Sequence, residues 1–289
     1  MRFSRAIALF VADLEAAKKS PETIRGYTKD LWIFHKTLRR DTVLDITPET
    51  IREAMRRWSS DDVAQNTLYR RQTAIRSFCR WGRKQQRLWM ENPTDLVDAV
   101  PQSECLPRPF EREEADRIWA LELPPMEDLA RALLFFTGLR VTSLCALSVG
   151  SVSGDMAQLR AVGKKGRVQV VEAHPVLSDK LAAHLVTRPG ARAYEPLLAS
   201  VTGKRLTRRT IEKWTKSWGE QASVSPCVPH RFRHLFGTDL LEATDNLRTV
   251  QEAMGHVSIR STQIYTRVKS STVRAAILKL PYPRKPETP

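Results

Sequence analysis

A chain of 289 residues, 42% of them hydrophobic, is long enough for one large or two modest domains with buried cores, which excludes a disordered polypeptide. Its 47 Lys and Arg against 32 Asp and Glu leave a net charge of +15 at pH 7, which points past a merely soluble basic surface to a polyanionic partner, nucleic acid first. Cys79, Cys105, Cys145 and Cys227 are scattered without metal-ligand spacing, so neither a disulfide framework nor a structural zinc is indicated, and a reducing cytoplasm fits.

The N-terminal segment 3–19 places Phe3, Ile7, Phe10, Val11 and Leu14 at helical spacing. Arg5, Asp13 and Glu15 interrupt it, so it is not a signal peptide, and no later run of about 18 apolar residues could span a bilayer. Ser20-Pro21 starts a second helix with Tyr27, Leu31, Phe34 and Leu38 inward, and Thr47-Pro48-Glu49 opens a third through Ile51, Met55 and Trp58. A fourth begins near Asn66 and runs towards Met90 with many basic residues and no acid. Arg76, Arg80, Arg83 and Arg87 form one stripe on it, beside apolar Leu68, Ile75 and Phe78. A solvated charged face is the ordinary origin of such a pattern. Here no acids compensate, and an uncompensated stripe repels itself unless phosphates neutralise it, so these four arginines are candidate DNA contacts.

The prolines at 101, 107 and 109 cannot continue a helix or a central strand, so 100–110 reads as a linker between a helical domain, 1–99, and a second domain, 111–289. Helices are predicted over 111–121 and 127–137, with Gly138 ending the latter in a left-handed conformation. Arg140 follows among apolar Leu139, Leu144 and Leu147 and is predicted to be partly buried, so its guanidinium must be paired or must await an anion. Taken alone, it reads as half of a structural salt bridge. Segments 156–162 and 167–173 read as strands of a hairpin whose turn, Gly163-Lys164-Lys165-Gly166, presents two lysines. Helices follow over 178–186 and 210–222. Arg208, Arg209, Lys213 and Lys216 suit phosphate-backbone contact at the second of these, whereas Trp214 and Trp218 read as core.

Pro229 then begins a helix on which His230 and Arg233, at i and i+3, leave one face while Phe232, Leu235, Phe236, Leu240 and Leu241 leave the other. Imidazoles, guanidinia and the phenol of Tyr265 gathered between 229 and 268 suggest phosphate chemistry. A short helix over 271–280 and a Pro-rich tail close the chain. The fold class expected is mainly α with a small antiparallel β-sheet.

Individually these signals are weak. In order, TGLRVTSLCALSV around Arg140, GKKGR around Lys164, PHRFRH at His230 and Arg233, MGH at His256 and STQIYTRV at Tyr265 resemble the tyrosine recombinases, or phage integrase family, of the Xer, Cre and lambda integrase types. The motifs run from about 129 to 268, and the helical first domain is similar to that family's core-binding domain, so the resemblance implies a two-domain architecture with an α+β catalytic domain. It also implies that Arg140 and Arg233 clamp the nonbridging oxygens of a scissile phosphate, that His256 donates another hydrogen bond to them, and that Tyr265 is the nucleophile. A free phenol titrates near pH 10, so Tyr265 needs a base or a strongly cationic site. His230 is the candidate base, and Lys164 is the general acid to the leaving 5′-oxygen. No cofactor, neither ATP nor metal, is needed for such a reaction.

Two positions depart from the family pattern: Ser143 stands where an acidic residue usually follows Arg140, and the hairpin turn is short, which makes Lys165 an alternative to Lys164. His234 is expected to be structural or a backbone contact. The partners implied are double-stranded DNA with core-type sites, three further copies of the chain on two synapsed sites, and an accessory DNA-bending or directionality protein, all in the cytoplasm at the nucleoid. The chain begins almost at once with its first helix, so recognition of core-type sites alone is expected. Integration or excision of a phage or mobile element is the first function expected and a Xer-like chromosome-dimer resolvase the second. A noncatalytic DNA-binding regulator has no need of the tyrosine, and a metal-dependent nuclease would require clustered Asp and Glu that the sequence lacks.

Overall fold

The computed structural model describes residues 1–103, 108–163, 166 and 168–255, and the chain divides into two compact units, Met1–Cys105 and Leu106–Pro289. Among the described residues, the first unit holds four α-helices, α1 (Phe3–Ala16), α2 (Pro21–Leu38), α3 (Pro48–Ser60) and α4 (Gln65–Gln86). Local chemistry sets their starts. Ser20 accepts from the Thr23 backbone N–H with Pro21 in the first turn, and Thr47 and Thr50 form a reciprocal capping box at α3. The apolar stripes of the four helices meet around Phe3, Phe10, Leu31, Phe34, Ile75 and Phe78, all at most 2% exposed. α4 ends sooner than its basic run suggested: Arg87 takes a left-handed conformation at φ 50°, and the Trp89 indole then donates to the Val43 carbonyl at 3.2 Å.

The flanks of the proline-rich segment are each laid on their own unit. In the first unit, Gln72 of α4 accepts from the Val100 N–H at 2.7 Å and donates to the Asp98 carbonyl at 2.6 Å, and Asn66 accepts from the Ser103 N–H at 3.1 Å. In the second unit, the Arg108 and Pro109 carbonyls each accept from the Arg231 guanidinium at 3.0 Å.

The second unit contains α5 (Arg112–Trp119), α6 (Pro125–Thr137), α7 (Val141–Ala146), the hairpin β1 (Gln158–Val162) and β2 (Val168–Glu172), α8 (Pro175–Val186), α9 (Arg208–Ala222), α10 (Pro229–Thr244) and α11 (Leu247–Ala253). β1 and β2 pair antiparallel from Gln158↔Glu172 to Val162↔Val168, with Leu159, Ala161 and Val171 turned into the core. α8 starts three residues earlier than its periodicity suggested, because Pro175 occupies the first turn and His174 caps the Val176 N–H. α11 is separated from α10 by left-handed Asp245, and Asn246 caps it by accepting from the Arg248 and Thr249 N–H groups. Trp218 and Phe232 lie at the centre of this core, both fully buried, and the Trp218 indole finds Glu127 at 2.9 Å. Asp128 ties α6 to α8 by accepting from Arg131 of its own helix and from Lys180. Among the described residues, no helix is long and apolar enough to cross a membrane.

Candidate active site

Pro229 has no N–H to leave unsatisfied, so α10 begins abruptly without a side-chain cap and brings four basic side chains into its first two turns. They do different things. Arg231 turns away from its neighbours: its guanidinium donates to the carbonyls of Arg108, Pro109 and Pro226, pairs with Glu114 at 2.6 Å, and stacks 4.1 Å from the Phe110 ring centroid. Its charge is neutralised within the fold, so it drops out of the cationic cluster that the sequence suggested.

Arg233, on the opposite face, is 3% exposed and donates to the Gly138 carbonyl and, at 2.9 Å, to the Met254 carbonyl. Gly138 lies two residues before Arg140 and Met254 two before His256, so one buried guanidinium fastens the turns that lead into two other motifs. Gly138 makes its turn at φ 56°, and a Cβ there would run into the Phe236 ring of α10.

Arg140 is exposed, not partly buried as expected. It stands at the N-cap of α7, where the backbone is extended at φ −67°, ψ 143°; the neighbouring Leu139 and Leu144 take the core positions and Arg140 stays exposed. Among the described residues nothing pairs with that guanidinium, and Ser143 supplies no carboxylate.

His230 keeps an exposed surface, and its ring lies 4.3 Å from that of buried His234, edge to face. Partial burial, and then the positive charges of Arg233 and Arg140, push its imidazole below the ordinary histidine range. His230 lies three residues before Arg233 on α10, and Arg233 holds the Gly138 carbonyl two residues before Arg140, so the three belong to one region of the unit. A neutral imidazole beside two fixed cations can take a proton while the cations hold an anion.

Lys164, Lys165, His256 and Tyr265 lie outside the described residues, but the hairpin strands that flank the two lysines and the turn that precedes His256 are described. Gln169 of β2 donates to the Ala253 carbonyl at 2.5 Å, and its side chain occupies the space that a Cβ at left-handed Gly255 would need. The hairpin is thereby fastened beside the turn that precedes His256. No periodicity marks Gln169; its only sequence signal is an amide between two valines near a basic turn.

The candidate DNA contacts divide. Arg76 donates to the Val97 carbonyl at 2.8 Å, so part of its donor capacity is held within the first unit. Arg80 and Arg83, with Lys84, line a cavity of about 380 Å³ shared with Asn92 and Asp95, an acid from beyond the helix that partly compensates the stripe. Arg87 is exposed at the α4 C-cap. On α9, Arg208 pairs with Glu212 at 2.6 Å and Arg209 is exposed. No group of His, Cys, Asp and Glu among the described residues is arranged to hold a metal ion.

Known proteins share this layout. The model of the phage integrase family matches residues 118–272, and that of the phage integrase N-terminal SAM-like domain matches residues 7–86. The tyrosine recombinase XerC of Haemophilus influenzae (strain PittEE) is 30% identical over 261 residues, covering 86% of this chain and 87% of its own. A lambda integrase (75-356) dimer bound to a COC' core site has a similar fold at TM-score 0.77 and 17% identity, covering 90% of this chain and 97% of that one. A lambda integrase tetramer bound to a Holliday junction matches at TM-score 0.75 and 18% identity, over 89% and 78% of the two chains.

Proposed function

This chain belongs to the phage integrase family of tyrosine recombinases, enzymes of site-specific DNA recombination, and from that premise we propose that Arg140, Lys164, His230, Arg233, His256 and Tyr265 carry strand cleavage and rejoining. The observation that supports this reading best is the grouping of His230 and Arg233 on one helix with the turn that leads to Arg140, whose Gly138 carbonyl Arg233 holds; partial burial and then the two guanidinia lower the His230 pKa. In the proposed step, the Tyr265 hydroxyl oxygen attacks the scissile phosphorus as His230 takes its proton. The bond from phosphorus to the 5′-oxygen breaks, and that oxygen takes a proton from Lys164. Arg140, Arg233 and His256 stabilise the charge that grows on the nonbridging oxygens. The 3′-phosphotyrosine retains the phosphodiester bond energy, so a 5′-hydroxyl from a second strand reverses the step and completes an exchange.

Double-stranded DNA is the substrate in this reading, gripped by the basic residues of both units. Arg80, Arg83, Arg87 and Arg209 are the candidate phosphate contacts of first rank, and Arg76 and Arg208 serve after their internal bonds. Four protomers on two synapsed sites are the proposed assembly, with the segment after Tyr265 packing against a neighbour; a lambda integrase of this fold forms a tetramer on a Holliday junction. Recombination unchanged by deletion of residues 271–289 would dismiss that packing. Integration or excision of a mobile element is the proposed role. The second reading, a chromosome-dimer resolvase, is favoured by the XerC name of a relative that spans most of the chain. Attachment repeats flanking the gene support the first, and recombination at one chromosomal site supports the second.

The chemistry is tested with a nicked suicide duplex in EDTA. Cleavage should trap a protein–DNA adduct that resists denaturant and is lost in Tyr265→Phe. Binding without any adduct would leave only a regulator with this fold, and an adduct that survives Tyr265→Phe would assign the nucleophile elsewhere.

A further inference from the structure

α7, which carries Arg140 at its N-terminal boundary, has six residues and is roughly 9 Å long at 1.5 Å per residue. So short a helix does not hold itself together, since nucleation costs more than one turn of hydrogen bonds returns. Nothing at its start compensates: Arg140 makes no side-chain cap bond, the first turn holds no acid, and Ser143 occupies the position where the family pattern has one. The support comes from the other end. Arg205 donates through Nη1 to the Cys145 carbonyl at 3.0 Å and the Leu147 carbonyl at 2.5 Å, and through Nη2 to the Ser148 hydroxyl at 2.9 Å. Cys145 is the penultimate residue of α7 and Leu147 its C-cap, so these carbonyls lie in the last turn, where no intrahelical bond satisfies them, and a cation there also complements the helix dipole. Arg205 is itself held by a tight turn, in which Ser200 N–H donates to the Lys204 carbonyl at 2.8 Å and Leu206 N–H to the Leu198 carbonyl at 3.0 Å. That turn is sewn to the end of α7 by Leu197 N–H, which donates to the Leu147 carbonyl at 3.0 Å.

We propose that Arg205 is a positioning residue for strand cleavage: by capping the C-terminal end of α7 it fixes the helix that presents Arg140, taking over the support that an acid at position 143 would give. The proposal rests on the reading of Arg140 as a phosphate clamp. Arg205 is exposed, so its removal leaves the core of the unit intact and loosens α7 locally. The consequence falls on geometry, to which cleavage is far more sensitive than binding, because many contacts share the grip on DNA and few groups hold the scissile phosphate.

Single-turnover cleavage of the suicide duplex at saturating protein, duplex affinity and thermal midpoint are measured for Arg205→Ala, Arg205→Lys, Arg140→Ala, Arg140→Lys and the pair Arg205→Ala with Arg140→Lys. Arg205→Ala should cleave about 10- to 100-fold more slowly, the scale of a displacement near 1 Å, with affinity within about threefold of the parent. Arg205→Lys, which keeps the charge and loses the fork, should recover part of the rate. In the Arg140→Lys background, Arg205→Ala should cost less than about threefold, since the guanidinium it positions is gone. A parental rate in Arg205→Ala, an equal loss of affinity and rate, or an undiminished loss in the Arg140→Lys background would each overturn the proposal. Should Arg205→Ala not fold, Arg205→Lys decides: a slower rate at native affinity supports it, and a parental rate overturns it. If Arg140→Ala cleaves normally, the clamp reading itself fails; if Arg140→Ala is inactive and Arg205→Ala is not impaired, only the present inference does.

Discussion

Arg140 and Arg233 are assigned the same chemical task, yet their surroundings predict opposite costs for the fold. Arg140 is exposed and engages no partner among the described residues, so Arg140→Ala should change stability by no more than about 0.5 kcal/mol. Arg233 is 3% exposed and satisfies the carbonyls of Gly138 and Met254. Truncating it leaves two buried acceptors without their donors, at roughly 1–3 kcal/mol each, so Arg233→Ala should cost about 2–4 kcal/mol after relaxation. For a unit of this size that lowers the thermal midpoint by roughly 5–15 °C. Thermal unfolding followed by circular dichroism measures the difference, and the suicide-duplex assay run well below the lower midpoint separates chemistry from unfolding. Both variants should lose the covalent adduct, and only Arg233→Ala should melt early. A midpoint for Arg233→Ala within about 2 °C of the parent, or one for Arg140→Ala depressed as far, would refute the idea that Arg233 joins the two turns.

Gly138→Ala combines a left-handed backbone, worth about 1–2 kcal/mol for a residue with a Cβ, with a collision against Phe236, so it should lower both the melting temperature and the cleavage rate; a parental melting curve would show that the turn yields easily. His230 should titrate by NMR below the ordinary histidine value of about 6.5, because burial and then Arg233 and Arg140 disfavour its charged form, and removal of one cation in Arg140→Ala should move the midpoint upward. Between the lowered midpoint and the ordinary one, the unfolded chain binds a proton that the folded chain refuses, so stability should fall as the pH drops through that window. A His230 midpoint at or above the ordinary value would contradict both statements. Duplex binding should weaken by about 10³ or more between roughly 50 and 200 mM salt if six or more phosphates are neutralised, and a flat response would argue against a grip from both units.

Much of the fold was legible because it is written in local patterns. Helical spacing found α1 to α4, Pro21 and Pro48 marked helix starts, Gly138 marked its left-handed turn, and two apolar segments around a Gly-Lys-Lys-Gly turn marked the hairpin. The residues proposed for the site, Arg140, His230 and Arg233 among them, were read from motifs in order. Most of what escaped in the site is of one physical kind: long side chains bonded to distant backbone carbonyls. Arg233 with Gly138 and Met254, Gln169 with Ala253, Arg205 with Cys145 and Leu147, and Arg76 with Val97 all depend on partners that carry no side-chain signature, since every residue has a carbonyl. The exposure of Arg140 departs from the sequence expectation for a related reason. Apolar neighbours in sequence imply burial only when the residue shares their helix face, and an N-cap residue precedes the helix.

The double engagement of Arg233 bears on how such a protein could decay. Drift that removes Arg140, exposed and without a partner among the described residues, would leave a chain that still folds, a route by which an enzyme becomes a silent occupant of its own sites. Drift that removes Arg233 would unfasten the turns around it and expose the chain to proteolysis before any such afterlife began. Inactive descendants of this fold should therefore carry an intact arginine at 233 more often than one at 140, keeping it for the sake of the scaffold long after the phosphate has ceased to matter.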